Sequence, residues 1–166
     1  GYQMVNVIGQ FWKKEGVREA MGAVMLDKQL ASLSARRELI RQGAWSTAEF
    51  PKIIEMLTGI AADKTDNKEV RKEAISSLSG LLAKQPELAP SLLTIANTAD
   101  DDMTIRSAAV YGLSWLKSDA AQAKDAAEAL IALAQNDDAN LARSAVNALG
   151  GIGDVARGLA EAEVTI

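Results

Sequence analysis

The chain has 166 residues with 30 Ala, 18 Leu, three Pro and seven aromatics, and it contains neither Cys nor His. The zeros exclude disulfide frameworks, zinc ribbons, iron–sulfur clusters, thiol nucleophiles, imidazole metal sites and Ser-His-Asp triads. Apolar residues at 48 % and charged residues at 24 % are ordinary globular values, and Ala and Leu are strong helix formers, so a single all-α domain over 1–166 is expected.

Charge is uneven: residues 1–52 carry +3 and residues 53–166 carry −7. The acidic body argues against nucleic acid as a partner, because such binding rests on phosphate neutralisation. No stretch approaches 18 uncharged apolar residues, so no membrane span is expected. Gly1-Tyr2-Gln3 lacks the basic start of a signal peptide. A cysteine-free chain suits cytoplasm or periplasm, with cytoplasm the favoured expectation.

In chain order, Met4, Val7, Ile8, Phe11 and Trp12 have the spacing of one helix face. Val17-Arg18-Glu19-Ala20 then opens a second helix, and the two read as a degenerate copy of a repeat developed more clearly downstream. Leu30 to Gln42 reads as an inserted or extended helix carrying Arg36, Arg37 and Arg41. These three form either a basic patch for an acidic partner or a solvated helix face. Ser46-Thr47-Ala48-Glu49 matches a capping box, with Trp45 and Phe50 placed as a hydrophobic staple or Trp45 as a ligand platform; Pro51 prefers the first helical position, so the helix starts between 46 and 51. Residues 1–45 are therefore expected to be irregular or to form degenerate N-terminal helices.

From residue 46 the pattern repeats. Apolar helices around Ile53–Ile60, Leu88–Ala96 and Leu130–Ala134 are each followed by a polar cluster, Asp63 to Asn67, Asn97 to Asp102 and Asn136 to Asn140. A second helix comes next: Val70-Arg71-Lys72-Glu73-Ala74, Ile105-Arg106-Ser107-Ala108-Ala109, Leu141-Ala142-Arg143-Ser144-Ala145. The arginine spacings are 35 and 37. Polar clusters of this kind stop one helix and cap the next. The units expected are 46–85, 86–118 and 119–153, with 154–166 a C-terminal cap or the start of a further helix.

On these residues the chain resembles the HEAT-repeat family over about 50–153. The resemblance implies an α-α superhelix, or solenoid, of three to four helix pairs. It also implies an inter-repeat ladder of Asp100, Arg106, Asp137 and Arg143 with Arg71, and a concave face lined by the second helices.

No catalytic, metal or cofactor site emerges. Asp100-Asp101-Asp102 and Asp137-Asp138 lack the alternating acids of a calcium loop and read as caps. Gly150-Gly151-Ile152-Gly153 lacks a preceding strand and a following Lys-Ser/Thr, so it reads as a helix end rather than a phosphate loop. Tyr111 and Trp115, four apart and turned away from the Ile105/Ala109/Leu113/Leu116 stripe, either pack on a neighbouring repeat or form a binding hot spot. Lys72, Glu73, Ser76, Ser107 and Ser144 share that surface in the second case. The function expected is a non-catalytic protein- or peptide-binding scaffold, with self-association possible through the stack ends. The alternatives are a lyase-type or accessory HEAT-like enzyme acting on a small molecule, or a fragment of a longer solenoid.

Overall fold

Four short polar residues set the phase of the chain. Through a side-chain oxygen, Ser32 accepts the N–H of Ala35 at 3.2 Å, Asn67 that of Glu69 at 2.8 Å, and Asp102 that of Thr104 at 2.9 Å. Asp138 accepts those of Asn140 and Leu141, both at 2.9 Å. Each oxygen satisfies first-turn N–H groups that have no partner inside the helix. The four caps are 35, 35 and 36 residues apart.

The structure is a computed structural model that describes residues 10–11, 13–29, 32–46 and 50–153. These residues contain the helices α1 (Glu15–Leu26), α2 (Leu33–Ala44), α3 (Lys52–Ala62), α4 (Lys68–Leu81), α5 (Ala89–Asn97), α6 (Met103–Gly112), α7 (Ala123–Ala134) and α8 (Ala139–Ile152). A 3-10 turn, Pro86–Leu88, precedes α5, and another, Leu113–Trp115, continues α6. No strand occurs among the described residues. The even-numbered helices, here the B helices, carry the four caps. The odd-numbered A helices begin without a side-chain cap.

Contacts cluster into two compact units, Gly1–Leu78 and Ser79–Ile166. In the first, α1 packs on α2 and α3, and α2 also meets α3; Met25, Ile40, Ile53, Leu57, Val70 and Leu78 are buried there. In the second, α5 packs on α6 and α7, and α8 on α6 and α7, around Leu92, Ile105, Leu113, Leu130 and Leu141. Ala74, Ala109, Ala145 and Ala148 are fully buried, where a small side chain lets two helices approach closely. Gly153, at φ 70°, ends α8, and its N–H reaches the Leu149 carbonyl at 3.2 Å. The glycine-rich run is thus a helix terminus.

Four residues beyond each cap stand Arg36, Arg71, Arg106 and Ala142. The three arginines are buried. Each Nε donates to a last-turn carbonyl of the preceding A helix: Met25 at 3.1 Å, Ala61 at 3.0 Å and Ala96 at 2.9 Å. Those carbonyls lack partners within their own helix, and the negative end of the helix dipole favours a cation. Arg36 also forks onto Asp66, with Nη1–Oδ1 at 2.8 Å and Nη2–Oδ2 at 2.6 Å. Both side chains are 3 % exposed. Asp66 stands one residue before the Asn67 cap and accepts the Asn67 N–H at 2.7 Å. Asp101 repeats that arrangement ahead of Asp102, also at 2.7 Å.

This phase corrects several expectations. Arg36 belongs to no basic patch, because it is buried on Asp66 and on an A-helix carbonyl. The N-terminal pair is α1 with α2, spaced 35 residues from the next pair, so Arg18 lies in an A helix rather than opening a B helix. Met4, Val7, Ile8 and Trp12 lie outside the described residues. Arg143 is one position past the ladder register, which Ala142 occupies, and it is exposed. Asp100 is exposed and one residue upstream of the register that Asp66 and Asp101 share. Asp137 has that register but is also exposed.

Next to this ion pair, Lys28 pairs with Asp63 and donates to Thr65 Oγ1 at 2.6 Å. The bonds from Lys28 and Thr65 hold the Asp63 carboxyl at about 2, below its ordinary 3.8. The Arg36 fork likewise holds Asp66 below the usual carboxylate range. Stability from both carboxylates is therefore complete above the unfolded value near pH 4 and is lost as pH falls through each folded value, about 2 for Asp63. Urea midpoints should stay level from roughly pH 8 to 5 and fall below about 4. Asp66→Asn should flatten that acid limb; an unchanged limb would mean that the pair does not titrate with folding.

Candidate interaction surface

Side chains five, nine and thirteen residues past a cap share one helix face, because their spacing is four residues. On this stripe α2 and its C-terminal cap carry Arg37, Arg41 and Trp45. The corresponding residues of α4 are Lys72, Ser76 and Gly80; those of α6 and its 3-10 extension are Ser107, Tyr111 and Trp115; those of α8 are Arg143, Asn147 and Gly151.

Tyr111 is 58 % exposed and Trp115 57 %. Their exposure follows from the winding of the segment. Ile105, Ala109 and Leu113 are fully buried, which turns Tyr111 outward. The chain then tightens into the 3-10 turn and leaves it at Leu116 in extended conformation, ψ 129°. That path buries Leu113 and Leu116 while Trp115 stays outside. Two glycines permit the close packing below. A Cβ on Gly112 would lie 2.0 Å from Ser79 Oγ, and one on Gly151 would lie 2.7 Å from the Ser114 carbonyl oxygen. Because Gly151 carries no side chain, nothing from that position of α8 rises beside Trp115. Ser107 and Ser144 are half-buried, and the Ser144 hydroxyl donates to the Asn140 carbonyl at 2.9 Å.

In the first unit the expected basic patch is charge-balanced. Arg37 donates to Glu73 Oε2 from Nε and Nη2, both at 3.2 Å. Arg41 reaches the same carboxylate at 3.2 and 3.0 Å, and Glu38 at 2.6 Å. The Glu73 hydrogen bond raises the Arg41 pKa further. Glu73 is consequently engaged within the fold, its side chain only 12 % exposed. Arg37 and Arg41 sit at the surface with their charge answered by two glutamates. Lys72 is exposed and meets Glu69 at 3.4 Å; Ser76 is exposed.

Trp45 is 81 % exposed and does not staple a helix. It follows α2 as its C-terminal cap, in the register of Trp115. The capping-box residues Thr47 to Glu49 lie outside the described residues. Phe50 is half-buried under the Arg18 guanidinium, 4.1 Å from the ring centroid. Counting from the caps places Trp45 in register with Trp115, and Asn147 in register with Tyr111. The fourth-repeat equivalents of Tyr111 and Trp115 are Asn147 and Gly151.

Among the described residues no three His, Cys, Asp or Glu side chains gather to hold a metal, and no helix is long and apolar enough to cross a membrane.

Side-chain-capped helices recurring every 35 or 36 residues, three of them tied to the preceding helix by a buried arginine, define an α-α repeat protein. The family model of HEAT repeats matches residues 60–146, just over half of the chain, and the chain belongs to that family. No curated protein matches it. HEAT repeats are commonly protein-interaction scaffolds and are typically non-catalytic.

Proposed function

We propose that this chain is a non-catalytic interaction module that grips a protein or peptide partner on its B-helix face, with Tyr111 and Trp115 as anchors. The observation that carries the reading is the exposure of both rings on a stripe that is otherwise uncharged along α6. Tyr and Trp dominate binding hot spots because they bury a large rigid area at little entropic cost. Leaving two such rings in water has no benefit to folding. Asn147 and Ser144 on α8 add polar groups that suit a peptide backbone. In the first unit, taken by itself, the same register carries Arg37, Arg41 and Lys72, charged groups that suit orienting a partner more than adding affinity.

The test compares native chain with the Tyr111→Ala/Trp115→Ala double variant in affinity capture from a native lysate. Both residues are exposed, so melting should shift by less than about 0.5 kcal/mol equivalent. A partner retained by the native chain should be lost by the variant. Capture of the same proteins by both forms would reject the proposal, as would loss of helicity in the variant.

A further inference from the structure

Counted from their caps, the four B helices carry two apolar edges, and each edge is left bare once. In the second unit, Ser114 stands twelve residues past its cap and faces α8, since a Cβ on Gly151 would lie 2.8 Å from the Ser114 Cβ. Val110, eight past the cap and four before Ser114, shares that edge and is fully buried. Ile40 and Ile75, at the same count, are buried as well. In α8 that count gives Val146, which is 57 % exposed, and then Gly150, with open space where a Cβ would go. The other edge behaves in the reverse sense. Gly112, ten past its cap, packs back against Ser79, and Ile105, seven residues earlier, lies on the same edge. Val70, Ile105 and Leu141, three past their caps, are fully buried, as are Ala74, Ala109 and Ala145, seven past. In α2 these counts give exposed Ala35 and half-buried Leu39.

We propose that copies of this chain join head to tail, the α2 edge of one copy and its neighbour α1 laid on the α8 edge of the next. The occupant is read from the molecule itself. What covers the Val110/Ser114 edge of the third B helix is a further B helix in the same register, α8, and α2 is the B helix whose matching edge is bare. Exposed large apolar side chains agree with this. Among the described residues, apart from Trp45, Tyr111 and Trp115, they are Val146 on α8 and Phe11, Val24, Leu26 and Leu33 at the first helix pair. Repeat arrays stay apart only when their outermost units present polar surface. Charge favours the same pairing: residues 1–78 carry twelve Lys/Arg against ten Asp/Glu, and residues 79–166 six against twelve. A head of net positive charge thus meets a tail of net negative charge. Contacts between two different edges repeat from copy to copy, giving a ring or an open series. The contact does not depend on the proposed partner of Tyr111 and Trp115.

Sedimentation equilibrium of the full chain over about 5 to 500 µM should give an average mass that rises above the monomer with concentration. Val146→Glu places a carboxylate on the tail edge. Ala35→Glu places one on the head edge, three residues after the Ser32 cap, where a glutamate completes a capping box and supports α2. Both positions are exposed, so far-UV circular dichroism should stay native. Each variant alone should associate at least about tenfold more weakly, because one of its edges now carries an unpaired charge. Mixed in equal amounts, the two should form one-to-one dimers at native strength and stop there, since the intact head of one fits the intact tail of the other. Tyr111→Ala/Trp115→Ala should associate like the native chain. A native chain monomeric over the whole range would overturn the proposal. So would variants that associate as the native chain does, a mixture no stronger than either variant alone, or loss of assembly in the Tyr111/Trp115 variant.

Discussion

Arg36→Ala should lower the stability of the first unit by about 3–5 kcal/mol, read as a shift in the denaturant midpoint. The substitution strands two groups at once. Asp66 loses a bidentate partner at 2.6 and 2.8 Å while remaining 3 % exposed, and the Met25 carbonyl loses donors at 3.0 and 3.1 Å. An unpaired buried charge is far costlier than an absent one. Replacing both partners, Arg36→Leu with Asp66→Leu, should therefore cost less than the sum of the single changes. Arg36→Lys should recover little, because an ammonium cannot fork onto the carboxylate and bond the carbonyl together. A loss below about 1 kcal/mol for Arg36→Ala, typical of solvent-exposed pairs, would show that water reaches this pair.

Two adjacent glycines should respond in opposite directions. Gly150 lies inside α8 with open space where a Cβ would go. Gly150→Ala should stabilise the second unit by about 0.4–1 kcal/mol, since alanine restricts the unfolded chain and favours helix. Gly151→Ala gains the same propensity but drives its methyl to 2.7 Å from the Ser114 carbonyl oxygen and 3.0 Å from Ser114 Cα. Those are backbone atoms and cannot rotate aside, so a net loss of about 1–3 kcal/mol is expected from overpacking. Ser114→Gly should recover only part of the loss, because it removes the Cβ contact at 2.8 Å and leaves the backbone ones. Thermal melts of the two single variants settle the matter; shifts of the same sign would mean that α8 does not approach the turn this closely.

The repeat architecture was legible because it is written several times over. Apolar stripes, polar turns and Arg71 with Arg106 recur in phase, and one copy's ambiguity is resolved by the next. Errors arose where a conspicuous residue outweighed the phase. Arg143 attracted the alignment of the last repeat although the cap at Asp138 places Ala142 in the ladder position. Val17-Arg18-Glu19-Ala20 resembles Val70-Arg71 and its following residues more closely than Ala35-Arg36-Arg37 does, which hid the first B helix. Burial of Arg36 depends on Asp66, 30 residues away, so no local pattern distinguishes it from surface-lying Arg37 beside it. The balance of Arg37 and Arg41 by Glu73 is similarly long-range, at 36 and 32 residues. Exposure of Trp45 was obscured because Phe50 offered a plausible local partner.

The arginine contacts also have a consequence for the order of events as the chain is made. Three of the described A helices, α1, α3 and α5, end in carbonyls that cannot be satisfied from within, and the group that completes them arrives only 10 or 11 residues later, four residues into a helix that begins with its own cap. A nascent A helix is thus left unfinished until the first turn of its B helix has emerged, and that turn is helped to nucleate by its own capping side chain. Closure of a repeat spans a short length of chain and so carries a small loop-entropy cost. Asp66 reaches back 30 residues to Arg36, so the first pair is locked only when the next A helix is complete. Such a chain matures from its N-terminus forward, one pair at a time.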